Sequence, residues 1–205
     1  MFADIFDEVK DYLKIHGGED DERFTFRKRS EHIRRVFTWV KRLTEDFTEE
    51  INSDALLTAA LFHDIGYGKS VGSHAENSAV IFRGYAESKG YDKTQSDFIE
   101  YLIRNHSNKE MLSSTDTPLE LILLLEADLL DETGALRIMW ITMSSTSASA
   151  PAQSYKESYQ NLLEYTHEDL DTNPMRTAKA KEFWENKQVL IREFLKQLEY
   201  DLDIK

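Results

Sequence analysis

The stretch LFHDIGYGKS, residues 61–70, contains two motifs that indicate different chemistry. His63 and Asp64 stand side by side where an apolar run ends, and both are metal-ligand residue types. Gly68-Lys69-Ser70 matches the last three residues of a phosphate-binding loop, which also needs a glycine five positions before Gly68 and a strand before that glycine. Position 63 is a histidine, and the preceding DALLTAALF has a helical pattern. The stretch therefore favours a metal site over a nucleotide loop.

The composition narrows the choice of ligands and partners. The sequence contains no cysteine, which excludes disulfides, thiolate catalysis, zinc ribbons and iron–sulfur clusters. Six histidines and the carboxylates remain as ligands, a set that suits Mn, Fe, Ni, Co or Mg. A net charge of −13 argues against a nucleic-acid polymer as partner and favours a small substrate.

The length and hydropathy are those of one soluble domain. We expect the 205 residues to form a single domain over 1–205. No apolar run reaches the roughly 18 residues of a membrane span, so we expect no membrane association. The first residues, MFADIFDEVK, lack the basic start and apolar stretch of a secretory signal, which favours a cytoplasmic protein.

Apolar residues recur at steps of three and four through most of the chain, a pattern typical of amphipathic helices. Strand signals are weak, so we predict an all-α fold. The small polar residues and Pro151 of SSTSASAPAQS, 144–154, predict a loop or mobile lid, or a linker. The predicted helices are 2–17, 27–47, 52–66, 73–90, 92–106, 118–134, 152–166 and 175–200.

Further polar residues fall on or beside these helices. His32, His74 and His106 would each, taken alone, be ordinary surface, helix-start or core residues. Asp128 is more informative, because it lies within the apolar run LILLLEADLLDETG. Burying a carboxylate costs several kcal/mol unless it is paired or binds a metal. Glu126 need not be buried with it, since its side chain points in another direction.

The order of these residues resembles that of the HD superfamily of metal-dependent phosphohydrolases, which is named for its His-Asp doublet. His32, the doublet His63-Asp64 and the later Asp128 match the family pattern in order and spacing. TAALFHDIGYG, SHAENSAVIF, LIRNHS and LLLEADLLDETGA are similar to segments of HD members with an extended site, the last to a bacterial subgroup of uncharacterised HD hydrolases. The resemblance covers about residues 25–140, and we expect the C-terminal helices, 152–205, to pack on this core.

The resemblance implies a helical bundle with a metal site in its core, between the helices. His32, His63, Asp64 and Asp128 would hold a divalent metal. His74 and His106 would hold a second metal bridged by Asp64, or contact the substrate phosphate. One or two ions per chain are therefore expected, with Asp64, Lys69, His74 and His106 as the catalytic residues.

Basic residues near these motifs are candidates to bind the substrate phosphate, namely Arg29, Arg35, Lys69 and Arg104. Glu31 or Asp131 could orient ligands or carry a proton from the second shell. Four positions differ from the family pattern: Glu126 replaces an aspartate, Leu129 and Trp140 stand where basic residues are often found, and Tyr67 stands where some relatives have a lysine. These differences concern the phosphate side of the site more than the metal.

We expect a metal-dependent phosphohydrolase that acts on a small phosphoester, with nucleotides favoured, through a metal-activated water. The first alternative is a di-iron oxygenase of the same fold. The second is a non-catalytic sensor that keeps the metal, which the residues Leu129 and Trp140 motivate. The aromatic residues Phe183, Trp184 and Phe194 are compatible with either a core or a homodimer interface.

Overall fold

The computed structural model describes residues 1–21, 24–68, 74–147 and 154–204. Within these ranges the chain forms nine α-helices and no strand, so the all-α prediction is confirmed. No helix of the described ranges has both the length and the apolar character that crossing a bilayer requires. The helices are α1 Phe2–His16, α2 Arg29–Thr44, α3 Ser53–Phe62, α4 His74–Lys89, α5 Lys93–Asn105, α6 Leu119–Asp131, α7 Ala135–Ser147, α8 Tyr155–Asp171 and α9 Ala178–Asp201.

Two parts of the sequence prediction are wrong. The sequence predicted no helix at Ala135–Ser147, and the loop predicted from residue 144 starts too early, because 144–147 belong to α7. The serines and threonines at the end of α7 have low helix propensity, which explains the error. Residues 148–153 lie outside the described ranges, and Ser154 caps α8 by accepting a hydrogen bond from the Glu157 N–H.

The helices form two compact units, residues 1–128 and 129–205. In the first unit α3 is almost entirely buried, and its apolar side chains pack against α1, α2 and α5. In the second unit α7, α8 and α9 pack on one another around Ile138, Ile141, Tyr159, Leu162, Ile191 and Leu195. The single domain over 1–205, with the C-terminal helices on its core, stays a prediction.

Helix α3 ends in a tight turn that determines where the His-Asp doublet lies. The helix stops at Phe62, and a 3₁₀ helix follows at Ile65–Gly68. The Gly66 N–H donates a hydrogen bond of 2.9 Å to Ser78 Oγ on α4. A Cβ atom on Gly66 would lie 2.5 Å from both the His74 carbonyl oxygen and the Ser78 nitrogen. Only glycine permits this approach, which holds the doublet against the start of α4.

The three aromatic residues of the last helix have different environments. Trp184 is buried, and its Nε1–H donates a hydrogen bond of 2.8 Å to the Thr172 carbonyl oxygen, so it is a core residue. Phe183 is half-buried, and Phe194 is 42% exposed. The homodimer stays a prediction.

Candidate metal centre

Five helices, α2 to α6, place polar residues at one point of the first unit. His32 lies in the first turns of α2, and His63 and Asp64 follow the last residue of α3. His74 begins α4, and His106 follows the last residue of α5. Asp128 lies near the end of α6. All six residues selected from the sequence as metal ligands therefore lie at helix ends that the fold brings together.

Four of these residues form a first ligand set. The His32 Nε2 atom lies 3.3 Å from His63 Nε2, 3.4 Å from Asp64 Oδ2 and 3.3 Å from Asp128 Oδ1. The His63 Nε2 atom lies 3.7 Å from Asp64 Oδ2 and 4.0 Å from Asp128 Oδ1. Two nitrogen and two oxygen atoms thus face a common point.

The other carboxylate oxygen of Asp64 belongs to a second set. Asp64 Oδ1 lies 3.5 Å from His74 Nε2 and 3.3 Å from His106 Nε2. The two imidazole nitrogens are 3.1 Å apart. Asp64 therefore presents one oxygen to each set.

Backbone hydrogen bonds orient two of the imidazoles. His63 Nδ1 donates to the Ala60 carbonyl oxygen at 2.9 Å, and His106 Nδ1 donates to the Ile103 carbonyl oxygen at 2.7 Å. A neutral imidazole that donates from Nδ1 carries a lone pair on Nε2. Both hydrogen bonds therefore leave Nε2, the other ring nitrogen, directed at the Asp64 carboxylate, the arrangement in which a second shell orients metal ligands.

The ionisation states match those of metal ligands. Burial lowers the pKa of His63 from its usual 6.5 to about 4, so the ring is neutral at pH 7. Burial by itself raises the pKa of Asp64, but His63, His106, His32 and Arg29 outweigh it and hold that pKa well below its usual range. For Asp128 burial is likewise outweighed, by Lys109 and His32, and its pKa is also lowered.

These observations fit a divalent cation. Ligand atoms at about 2.0–2.2 Å from one ion lie roughly 3.0–3.5 Å apart, as most of these atoms do. Without a cation, lone pairs and carboxylate oxygens would face each other in a buried place, which is costly. The described residues contain two groups that could hold an ion: His32 with His63 and Asp128, and His63 with Asp64 and His106. A donor set of imidazole and carboxylate groups suits Mn, Fe, Co, Ni or Mg.

Two cations flank the ligands. Arg29 Nη1 donates to Asp64 Oδ2 at 2.6 Å, and its guanidinium stacks 3.5 Å from the centre of the Tyr67 ring. Tyr67 in turn stacks on the His74 ring at 4.4 Å. Lys109 Nζ donates to Asp128 Oδ2 at 2.5 Å. Arg29 is among the site residues predicted from the sequence, whereas Tyr67 and Lys109 are not, although Lys109 follows His106 by only three residues.

The other residues predicted to bind phosphate or to carry a proton differ in burial and in their partners. Arg104 pairs with Glu76 and Glu100 on α4 and α5, each at 2.6 Å. Arg35 is half-buried on α2, Glu31 is exposed and Asp131 is buried. Lys69 lies outside the described residues. The roles given to these residues stay predictions.

One expectation about Glu126 is wrong. From the sequence, this glutamate need not be buried beside Asp128. Its exposure is in fact 0%, and Asp128 is 9% exposed. The apolar residues around both positions bury this part of α6 on every side, so one-sided helical periodicity does not apply to it.

Three comparisons place the chain among known proteins. The pattern of the HD domain family matches residues 29–133, just over half of the chain. The crystal structure of Bacillus subtilis YpgQ in complex with ADP has a TM-score of 0.68 at 20% identity, covering 98% of this chain and 94% of that one. An HD-superfamily hydrolase from Bacillus thuringiensis has a TM-score of 0.66 at 20% identity, covering 100% and 97%. At this identity the likeness shows the fold.

A shorter match links the chain to other enzymes. The bifunctional uridylyltransferase/uridylyl-removing enzyme of Bordetella pertussis is 43% identical over 51 residues, which are 25% of this chain. The match spans about 6% of the length of that relative. Because the family pattern covers more than half of the chain and includes His32, the doublet, His74, His106 and Asp128, the resemblance inferred from the sequence is confirmed. The chain belongs to the HD domain family.

Proposed function

We propose that this protein is a metal-dependent phosphohydrolase that acts on a small phosphoester, with nucleotides as the favoured class. The observation that carries the proposal is the division of Asp64 between two ligand sets, one oxygen to each. The orienting hydrogen bonds of His63 and His106 support it, because they keep both Nε2 atoms directed inward.

Each residue has a task in this scheme. Divalent metal ions, when bound, lower the pKa of water and neutralise phosphoryl oxygens. His32, His63 and Asp128 hold one side of the site, His74 and His106 hold the other, and Asp64 joins them. Arg29 keeps Asp64 ionised and fixes its carboxylate. Hydrolysis forms a bond from water oxygen to phosphorus and breaks the bond to the leaving oxygen, which takes up a proton.

The preference for a small nucleotide is supported by charge and by the relatives. A chain of net charge −13 repels long polyanions more strongly than a small substrate. YpgQ, which has a similar fold, was crystallised in complex with ADP. The short match to bifunctional uridylyltransferase/uridylyl-removing enzymes also supports a nucleotide-related substrate. A cytoplasmic location fits such a substrate.

The test combines metal analysis with a substrate panel. Elemental mass spectrometry of protein purified without chelator should find one or two divalent ions per chain. The metal-loaded protein should hydrolyse at least one compound among phosphomonoesters, phosphodiesters and nucleoside di- and triphosphates. Asp64→Asn should lose both metal and hydrolysis, whereas His167→Ala, at an exposed histidine of α8, should retain both. A fully active Asp64→Asn variant would contradict the proposal.

The same test distinguishes the two other functions considered for this site, a di-iron oxygenase and a sensor. Two ligand sets that share a carboxylate permit a di-iron pair, and this would appear as two irons per chain with dioxygen uptake. A sensor function would appear as bound metal and a bound metabolite with no turnover in the panel. Either result would replace the phosphohydrolase proposal.

A further inference from the structure

Lys109 contacts one residue of each ligand set and, within the described residues, uses two of its three N–H donors. It lies at the start of the 3₁₀ helix Lys109–Ser113, which follows α5. Its Nζ atom donates to Asp128 Oδ2 at 2.5 Å and to the His106 carbonyl oxygen at 3.2 Å. An ammonium group has three N–H donors. Two are therefore used within the described part of the chain, and one remains for another acceptor.

The exposure of the side chains shows where a substrate can approach. The deepest ligands are nearly inaccessible, with side-chain exposures of 0% for His63, 2% for His106 and 4% for Asp64. Exposure rises to 12% at Asp128 and 35% at Lys109. The His74 side chain is 17% exposed, so among these groups the Lys109 ammonium is the one most accessible to an anion from solvent.

The other described cations near these residues are less available to a substrate than Lys109, because their side chains are paired with carboxylates or less exposed. Arg29 is bonded to Asp64 and stacked on Tyr67, and its side chain is only 13% exposed. Arg104 is bonded to two carboxylates, which neutralise its charge. Asp128 uses Oδ1 toward His32 and Oδ2 toward Lys109, so the ammonium stays beside the ligand atoms without competing for them.

We propose that Lys109 is a catalytic residue that binds a non-bridging phosphoryl oxygen of the substrate through its third N–H. The inference rests on the proposed function and deepens it, because it supplies the cation that the sequence analysis sought at Lys69 and the arginines. A hydrogen bond between an ammonium and a phosphoryl oxygen is charge-assisted, and therefore stronger than one between neutral groups. The bond to Asp128 fixes the ammonium, which limits the entropy lost when the substrate binds.

A purely structural role as counter-ion of Asp128 predicts different behaviour. In that case a neutral residue at 109 would weaken metal retention or folding, and phosphate affinity would fall only with the metal. In the proposed role a neutral residue weakens phosphate binding while the metal content stays unchanged.

The absence of cysteine from the sequence permits a chemical test. Lys109→Cys introduces the only thiol of the chain, and 2-bromoethylamine converts it into a side chain that restores the ammonium. Alkylation with iodoacetamide gives a neutral side chain as the matched reagent control. Lys93→Cys is the matched site control, because Lys93 is 85% exposed and lies at the opposite end of α5 from His106. Lys109→Met, which keeps most of the apolar stem, is the second variant.

The measurements are metal content, the affinity of the metal-loaded protein for inorganic phosphate by calorimetry, and kcat and KM for a substrate found in the panel. We expect Lys109→Cys and Lys109→Met to bind phosphate about 10- to 100-fold more weakly at unchanged metal content. Aminoethylation should restore most of the loss, and iodoacetamide should restore none. Both Lys93→Cys and its alkylated forms should behave as the wild type.

Several results would overturn the inference. Wild-type phosphate affinity in both variants would exclude the contact, as would equal recovery with the two reagents. Loss of metal in both variants would assign Lys109 to a structural role. If the wild type binds metal but neither binds phosphate nor hydrolyses any ester, the proposed function fails first, which distinguishes that failure from a failure of Lys109 alone.

Discussion

At the scale of the residue, Asp64 is the one carboxylate that contributes to both ligand sets described above, because each of its oxygens faces a different set. We therefore expect His74→Ala to remove one of two bound ions and Asp64→Ala to remove both. Native mass spectrometry at saturating Mn²⁺ would count the ions, with His167→Ala as the control. Equal stoichiometry in the His74 and Asp64 variants would show that the carboxylate does not bridge.

Gly66 lies so close to the backbone of α4 that adding a single Cβ atom tests whether this approach is needed. A Cβ atom there would lie 2.5 Å from two backbone atoms of α4, so Gly66→Ala must displace the turn that carries the doublet. We expect a loss of about 3 kcal/mol in unfolding free energy and weaker metal binding. Gly84→Ala is the matched control: no atom lies within 4 Å of its Cβ, and alanine should stabilise α4 by about 0.5–1 kcal/mol. Urea unfolding of both variants measures the difference.

The sequence was informative about the metal ligands and much less so about their surroundings. Asp128 could be selected because a carboxylate within an apolar run demands a partner. The doublet could be selected because it ends an apolar helix. Lys109 could not, because its role depends on how the chain turns after His106, and no periodic pattern describes a single 3₁₀ turn. Glu126 was misjudged because a helix surrounded by core on all sides has no polar face to read.

At the scale of the element, the histidines of the second ligand set are held by an ion-pair network between α4 and α5. Arg104 lies two residues before His106 and bonds Glu76, which lies two residues after His74. Arg104 also bonds Glu100, a glutamate that is only 2% exposed and that pairs with Arg83 as well. The network therefore ties together the two helix ends that carry the second set.

Arg104→Gln tests whether this arginine binds the helices or the substrate. Because both of its carboxylate partners lie within the protein, we expect a loss of about 1 kcal/mol in unfolding free energy, with KM unchanged. Chemical denaturation and steady-state kinetics measure the two quantities, and Arg34→Gln, at an exposed arginine of α2, is the control. A large rise in KM at unchanged stability would instead assign Arg104 to the substrate phosphate.

Tyr85 of α4 should make the free energy of unfolding depend on pH, because its surroundings, which include Glu8 of α1, change its pKa. Burial, followed by the negative charge of Glu8 on α1, raises the pKa of Tyr85 from 10.0 to about 12. The unfolded chain therefore loses this proton first, and the contribution to stability is lost as pH rises from 10 to 12. Tyr85→Phe should flatten this part of the urea-midpoint profile, whereas Tyr200→Phe, at an 83% exposed tyrosine, should not. Identical slopes in all three proteins would contradict the assignment.

Helix prediction succeeded where a helix has one apolar face and clear end signals. Asn52 caps α3 and Asp92 caps α5 through side-chain hydrogen bonds, and these residues are the first of the predicted helices 52–66 and 92–106. It failed at α7, whose ALRIMWITMSSTS ends in residues of low helix propensity, because packing within the second unit there outweighs local preference. The end of α3 was also misplaced, since the helical pattern runs on through the doublet whereas the backbone turns at His63.

At the scale of the whole molecule, the boundary between the two compact units falls inside helix α6. The units meet between Asp128 and Leu129, whereas α6 runs unbroken from Leu119 to Asp131. A candidate metal ligand, Asp128, thus occupies the last position of the first unit, on a helix that continues beyond it. Whether the chain unfolds as the single domain predicted from its sequence depends on how strongly this shared helix couples the units.

Metal-linked unfolding measures that coupling in the intact chain. Both ligand sets lie in residues 1–128, and a ligand present at 100 times its Kd stabilises the folded state by about 2.7 kcal/mol. Because α6 continues through the boundary, we expect one cooperative transition that Mn²⁺ shifts as a whole, by scanning calorimetry of the chelator-treated protein with and without the ion. Leu162→Ala, in the core of the second unit, should lower that same transition while leaving the ion count unchanged. Two transitions, of which Mn²⁺ shifts one and Leu162→Ala the other, would show that the units unfold independently and that the single-domain prediction is wrong.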